Sequence, residues 1–345
     1  VKVVYPAWST DKYNWDRQAA VLKPLSEVCD LTVLYSGNPP PAAEWCTLKQ
    51  VAPPTNLASL YDIAKDAIKI AADLGDFDVL YCWSGGAHLQ VLCALIAELA
   101  KRPCVMHING DAHLSRKHHL KPMDRFMQDS IDRLSLNDVT LIVPISSVLK
   151  QAVEGRVKHI RVSEPVPFCV DTELYTPQPF PAEISVGYAG RISPEKGFPF
   201  FTRVMEAAPS CKFRLSGVIQ MPIEFPDNTH YVGCLPLSHM GRFYAQNSVV
   251  ALPSYGEGIP GVVLEAYACG RPVICTPEAL PPELKCFGWT VLHDVDAWAK
   301  ILGGLTQTDI QAKGNLARRW LIDNWPSWQD FAVTMNKKFQ EVVTK

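Results

Sequence analysis

Leu252-Pro-Ser-Tyr-Gly-Glu-Gly-Ile-Pro-Gly-Val-Val-Leu-Glu-Ala-Tyr-Ala-Cys-Gly-Arg-Pro-Val-Ile-Cys-Thr276 reads as strand, glycine-rich turn, helix, glycine stop and second strand. Ser248 to Leu252 is a short apolar run suited to a buried strand. Gly256, Gly258, Pro260 and Gly261 then break the chain and admit a close approach of backbone to a ligand. The spacing predicts a helix over 262–269, stopped by Gly270, and a buried strand over 272–275. A helix that starts after such a turn presents open N–H groups and the positive end of its dipole, which suit phosphate or sugar oxygens. Glu257 lies in the turn, and Glu265 follows eight residues later within the first helical turns. Carboxylates in such places accept hydrogen bonds from paired hydroxyls. The blander alternative is an ordinary strand-turn-helix carrying two solvated glutamates.

Outward from this stretch, strands alternate with helices. Apolar runs at 1–5, 31–35, 79–82, 104–108, 140–145 and 159–162 are separated by amphipathic stretches at 15–28, 57–74, 87–100 and 123–136. Residues 38–54 read as an irregular excursion. The pattern implies a parallel sheet wound on both faces. No G-x-G-x-x-G follows the first strand, so a dinucleotide oxidoreductase is disfavoured. A second series begins with a strand at 185–189 and continues through 212–216 and 288–292 to helices at 295–305, 309–322 and 328–343. Between the two series, residues 163–184 hold Pro165, Pro167, Pro177, Pro179 and Pro181, a composition suited to a connection between domains.

Composition narrows the field. The 345 residues suffice for two domains, and a net charge of −2 excludes a whole-molecule polyanion binder. Eleven cysteines without a C-x-x-C pair fit a reducing cytoplasm rather than a disulfide scaffold or structural zinc. Val1–Tyr5 opens directly as a strand with no leader pattern, and no apolar run is long enough to span a membrane.

Glu257-Gly-Ile-Pro, Leu264-Glu265-Ala and Cys269-Gly-Arg-Pro-Val-Ile resemble the double-glutamate signature of retaining glycosyltransferases of family 4. Gly190-Arg-Ile-Ser-Pro-Glu-Lys-Gly197, after the strand at 185–189, resembles the same family's Gly-Arg…Lys-Gly element. The resemblance is strong over 185–276 and weak in the first half. It implies the GT-B fold, an α/β architecture of two Rossmann-like doubly wound parallel-sheet domains facing a cleft. The expected boundaries are an acceptor domain over 1–165, joined by the last helix 328–345, a linker over 166–184, and a nucleotide-sugar domain over 185–327.

The resemblance also implies roles. The donor is a nucleotide-diphosphate sugar, UDP-linked in preference to GDP-linked, and no prosthetic group or metal is expected. Gly190, Arg191 and Lys196 would hold the diphosphate. Two cations after a strand suit that task on physical grounds as well. Glu257 would accept hydrogen bonds from the donor sugar and Glu265 from the ribose, with backbone from Gly258, Ile259, Pro260, Gly261 and Val262 assisting. His107 ends a strand in His107-Ile-Asn-Gly-Asp-Ala-His113, where the family commonly carries a histidine facing the donor sugar. Arg191, Lys196, Glu257 and His107 are thus the catalytic candidates. A hydrogen-bonded core histidine is the alternative for His107. The implied reaction moves a hexose with retention, by front-face displacement.

The first half departs from the family. Pro6-Ala-Trp-Ser-Thr-Asp-Lys12 stands where a glycine-rich turn is usual, so Trp8, Ser9 and Thr10 become acceptor-site candidates, together with Asp111. Arg116 and Lys117 open a locally basic stretch to Arg125. That stretch is either a solvated loop or a dock for an anionic acceptor, a membrane surface or nucleic acid. Phe168-Cys169 replaces an Asn-Gly, and Ile219 replaces a glycine. A scaffold that binds nucleotide-sugar without transferring it therefore stays open. Asp76-Phe-Asp78 and Asp294-Val-Asp296 have the D-x-D spacing of metal-using transferases but read as structural caps.

Overall fold

The computed structural model describes residues 1–7, 12–54, 59–83, 87–109, 136 and 139–344. The acceptor candidates Trp8, Ser9, Thr10, Asp111, Arg116 and Lys117, and the basic stretch to Arg125, lie outside the described residues. The chain divides into two compact units. One comprises Val1–Phe168 with Trp328–Lys345, the other Cys169–Ser327.

In the first unit the strands are β1 Lys2–Ala7, β2 Asp30–Tyr35, β3 Thr47–Gln50, β4 Val79–Trp83, β5 Cys104–Ile108, β6 Leu141–Pro144 and β7 Arg161–Val162. They form one parallel sheet in the order β3-β2-β1-β4-β5-β6-β7. Helices α1 Lys12–Ser26, α2 Leu60–Asp73, α3 Ala87–Ala100 and α4 Ser147–Glu154 provide crossovers. The central strands are buried except for Trp83 at the end of β4, which is why they read as unbroken apolar runs rather than alternating ones. Ser59 and Ser146 cap α2 and α4 by accepting the Asp62 and Leu149 N–H groups. Three details depart from the sequence reading. The stretch 38–54 is not wholly irregular, because Thr47–Gln50 adds an edge strand beside β2. The expected strand at 159–162 shrinks to Arg161–Val162 at the other edge. β1 runs on through Pro6, where the ladder beyond Val4 pairs with β2 and no donor is needed from proline.

The second unit repeats the plan. Its strands are β8 Ser185–Ala189, β9 Lys212–Ser216, β10 Thr229–Tyr231, β11 Val249–Leu252, β12 Val273–Cys275 and β13 Gly288–Thr290, in the order β10-β9-β8-β11-β12-β13. The helices are α5 Phe198–Ala207, α6 Leu237–Ala245, α7 Gly261–Ala268, α8 Val295–Gly303 and α9 Gln307–Asn324. In both sheets the first strand lies between the second and the fourth, the doubly wound order whose switch point is where α/β sheets bind ligands. Tyr188, Phe198, Phe201, Phe213 and Trp298 build an aromatic core beneath α5. Asp294 caps α8 through the Ala297 N–H, while Asp76 pairs with Lys2 and Arg102, so both D-x-D pairs have structural work.

The proline-rich connection is held down along its length. Arg271, fully buried, donates to the carbonyls of Gln178, Pro179, Tyr244, Ala245 and Cys269, and its guanidinium lies 4.1 Å over the Phe180 ring. Arg318 from α9 donates to the carbonyls of Thr172, Tyr175 and Ala268. Asp171 accepts the N–H groups of Glu173 and Leu174, turning the chain. Residues 172–180 are thereby fastened to α6, α7 and α9 of the second unit. Among the described residues no helix is long and apolar enough to cross a membrane.

Candidate active site

Two turns meet at the carboxyl ends of β8 and β11, the strands that flank the switch point. The first runs from Gly190 through a short 3₁₀ turn, Pro194–Lys196, into α5. The second is the Pro253–Pro260 turn before α7. They can touch because Gly197 sits at φ +70°, and a Cβ there would fall 1.9 Å from the Pro253 carbonyl oxygen. Any larger residue would push the turns apart. Gly217, after β9, makes the same kind of approach to the Gly190 carbonyl.

The contact brings Lys196 to Glu257, 61 residues later. The Lys196 ammonium lies 2.7 and 2.8 Å from the two carboxylate oxygens, and the side chains are only 22% and 13% exposed. Ser254 donates to the same carboxylate at 2.7 Å, and Thr276 donates to the Ser254 carbonyl at 2.5 Å. His293 bonds the Pro253 carbonyl at 3.0 Å and stacks on Tyr255 at 4.1 Å. Arg191 pairs with Glu195 at 2.8 Å, and its backbone carbonyl accepts the Tyr188 hydroxyl at 2.6 Å. Burial, and then the Glu257 charge, push the Tyr188 phenol above its ordinary value, so it stays a proton donor to that carbonyl.

Glu265 occupies the second turn of α7 and accepts the Tyr244 hydroxyl at 2.6 Å. Pro260 begins α7 without a side-chain cap, so the N-terminal N–H groups of Gly261 and Val262 face outward from the helix start. Val263 bonds back to the Pro260 carbonyl. Gly190, Arg191, Lys196, Glu257 and the segment Gly258–Val262 thus gather at one sheet edge with Glu265 on the adjoining helix. Sequence reasoning missed Ser254, Tyr244, Glu195, Thr276 and His293. Ser254 had a signal, lying three residues before Glu257 inside the decisive stretch. Tyr244 had none, because it reads as an ordinary apolar position of α6.

His107 belongs to the first unit, where it is the penultimate residue of β5 and fully buried. One ring nitrogen meets the Tyr81 hydroxyl at 2.9 Å, the other the Val166 carbonyl at 2.8 Å, and Phe331 stacks on the ring at 5.6 Å. A carbonyl accepts only, so Nε2 carries the proton and Nδ1 accepts from Tyr81. Both nitrogens are committed to the protein, the arrangement of the core histidine that the sequence left open.

Burial lowers His107 to about 4, against the Val166 hydrogen bond and with the Lys338 charge assisting. The unfolded chain takes up this proton near pH 6.5, whereas the folded chain stays neutral until about pH 4. Stability from this residue is therefore complete above pH 6.5 and falls as pH drops to about 4, by about 3 kcal/mol, then levels off. Urea midpoints measured from pH 7 to 4 should follow that slope in the wild type and flatten in His107→Gln. Equal slopes in the two proteins would remove this account of His107.

Residues 183–307 match the family described as Glycosyl transferases group 1. A D-inositol 3-phosphate glycosyltransferase of Mycobacterium marinum is 29% identical over 157 residues, 40% of this chain and 34% of that protein. The one from Mycolicibacterium gilvum is 30% identical over 155 residues, 40% and 35% of the two chains. The match spans about a third of the length of these curated relatives. Sucrose-phosphate synthase of Thermosynechococcus elongatus superposes with a TM-score of 0.77 at 14% identity, covering 99% of both chains. Anabaena HepE in complex with UDP and glucose superposes with a TM-score of 0.74 at 15% identity, again covering 99% of both. Residues 183–307, within the second unit, are similar to a glycosyltransferase domain, and the fold is GT-B.

Proposed function

We propose that this chain is a retaining glycosyltransferase of family 4 that moves a hexose from a nucleotide-diphosphate sugar, UDP-linked in preference to GDP-linked. The observation that carries this reading is the Lys196–Glu257 ion pair, held by two turns far apart in sequence at the switch point of the second sheet. A surface pair would contribute little. This one is largely covered, supported by Ser254, and flanked by Arg191 and an uncapped helix start.

In the donor-free state Glu257 holds the ammonium of Lys196 in place. As a donor arrives, its sugar hydroxyls donate to Glu257, and the ammonium turns to the diphosphate. Arg191 exchanges Glu195 for the same group. When the sugar–phosphate bond breaks, negative charge grows on the diphosphate, and these two cations with the N–H groups of Gly258, Ile259, Gly261 and Val262 stabilise it. Pro260 has no N–H and serves by fixing the entry into α7. Glu265, oriented by Tyr244, accepts from the ribose hydroxyls. The departing phosphate oxygen takes the acceptor proton on the same face of the sugar, and no metal ion is required. The first unit is assigned the acceptor, with His107 as a positioning residue that fastens Val166, the start of the connection. The acceptor class is a glycan, lipid-linked or other hydroxyl compound. The setting is the cytoplasm, in keeping with free thiols on all eleven cysteines.

The names of solved neighbours support the donor class. Anabaena HepE is described with UDP and glucose, and an Escherichia coli trehalose-6-phosphate protein with UDP-2-fluoro glucose. Thermal shift across UDP-, GDP- and ADP-hexoses tests the reading. A UDP-hexose should raise the melting temperature of the wild type and leave Glu265→Ala unmoved. The reading fails if no nucleotide-sugar moves the wild type.

A further inference from the structure

All eleven cysteines carry free thiols, and two of them stand together outside the donor-site residues. Cys275 ends β12, and Cys286 lies in the loop that returns to β13. Their sulfurs are 3.9 Å apart, against about 2 Å in a disulfide. The placement is built in. In the parallel β12–β13 ladder Cys275 lies opposite Thr290 and Val273 opposite Gly288, and the Val273 N–H bonds the Phe287 carbonyl, so the residues entering β13 are held against β12. The Tyr267 hydroxyl grips the backbone on both sides of Cys286. It accepts the Phe287 N–H at 2.9 Å and donates to the Lys285 carbonyl at 2.8 Å.

The two thiols differ in access and acidity. Cys275 is fully buried and Cys286 half-buried. The hydrogen bond from Cys275 lowers the Cys286 thiol, burial opposes this, and Thr290 and the Lys313 charge lower it further. The same hydrogen bond, with burial, raises Cys275. The reachable thiol is therefore the better nucleophile, and the buried one is its neighbour in reserve.

We propose that Cys286 and Cys275 form a peroxide-responsive pair, in which Cys286 is oxidised first and Cys275 closes a disulfide with it. The Cys286 thiolate attacks one oxygen of hydrogen peroxide, the O–O bond breaks, and the released hydroxide takes a proton to become water. Cys286 is then a sulfenic acid. The Cys275 sulfur attacks the Cys286 sulfur, the S–O bond breaks, and the hydroxyl leaves as water with the Cys275 proton. Two thiols are oxidised to one disulfide while one peroxide is reduced to two waters. The bridge closes residues 276–285, including the 3₁₀ turn Pro277–Ala279, onto the sheet. Thr276, which supports Ser254 beneath Glu257, lies next to the bridge.

The test uses the whole chain and reads wild-type chemistry first. At pH 7 iodoacetamide should label Cys286 about ten-fold or more faster than Cys29 and Cys46, half-buried thiols that burial pushes up to about 11. Hydrogen peroxide followed by peptide mapping should yield a Cys275–Cys286 cross-link that dithiothreitol reverses. Closing so short a loop should raise the melting temperature by about 5 °C. In Cys275→Ser, dimedone should trap Cys286 as the sulfenic acid, with no cross-link. Labelling of Cys286 no faster than Cys29 and Cys46 would overturn the proposal. So would peroxide carrying wild-type Cys286 to the sulfinic acid without a bridge.

Discussion

Replacing Lys196 with alanine is expected to lower the rate of donor cleavage by about 10²- to 10³-fold, the scale seen when one pre-positioned group that stabilises developing charge is removed. The fall should appear mostly in kcat. Lys196 is spoken for by Glu257 before the donor binds, so its attraction to the diphosphate is partly offset by the pair it gives up. What remains is the extra attraction to charge that grows only as the bond breaks. Steady-state hydrolysis of UDP-hexose by Lys196→Ala reads this directly. Lys196→Arg should recover part of the rate, because it restores the charge but not the compact fit against Glu257. A loss confined to KM, with kcat unchanged, would show Lys196 to be a binding group and not a stabiliser of the leaving diphosphate.

The largest stability effect should follow Arg271→Ala. The guanidinium is fully buried, has no carboxylate partner among the described residues, and is satisfied by five backbone carbonyls and the Phe180 ring. Alanine removes all of these donors and leaves a cavity between the connection and α6. Each stranded carbonyl carries its own desolvation cost, and the lost volume adds to it, so the sum is about 3–5 kcal/mol. Unfolding in urea, followed by circular dichroism, should register this as a large drop in midpoint. Arg271→Met, which keeps most of the volume, should be less damaging. A change below about 1 kcal/mol in Arg271→Ala would mean that residues 172–180 are held by other contacts.

Legibility in the sequence tracks how local the determinants are. The strand-turn-helix around Glu257 and Glu265 can be read because its glycines, its apolar runs and its carboxylates lie within 25 residues, and the structure gives α7 the expected start and stop to within a residue. The same holds for β8 and the turn to Lys196. That these two turns touch is not legible, because it depends on Gly197 meeting Pro253 across 56 residues. Tyr244 beneath Glu265 is hidden for a related reason. Its hydroxyl is the only mark that separates it from any apolar residue of α6. β3 escapes because Thr47–Gln50 is a four-residue edge strand with no buried face to impose a pattern. How the proline-rich connection is held is not legible, because its order comes from Arg271 and Arg318, far along the chain, and not from its own composition. His107 sits at a strand end in both readings, and only the packing of Tyr81, Val166 and Phe331 decides what its nitrogens face.

The most direct test of the central claim is proton NMR of UDP-hexose incubated with the enzyme and no acceptor. Water then replaces the acceptor, and the anomeric signals of the freed sugar report the stereochemistry before mutarotation. The account predicts slow release of UDP with the α-anomer appearing first, and no release by Lys196→Ala on the same time scale. The β-anomer appearing first would contradict retention, and equal release by Lys196→Ala would detach the reaction from the Lys196–Glu257 site.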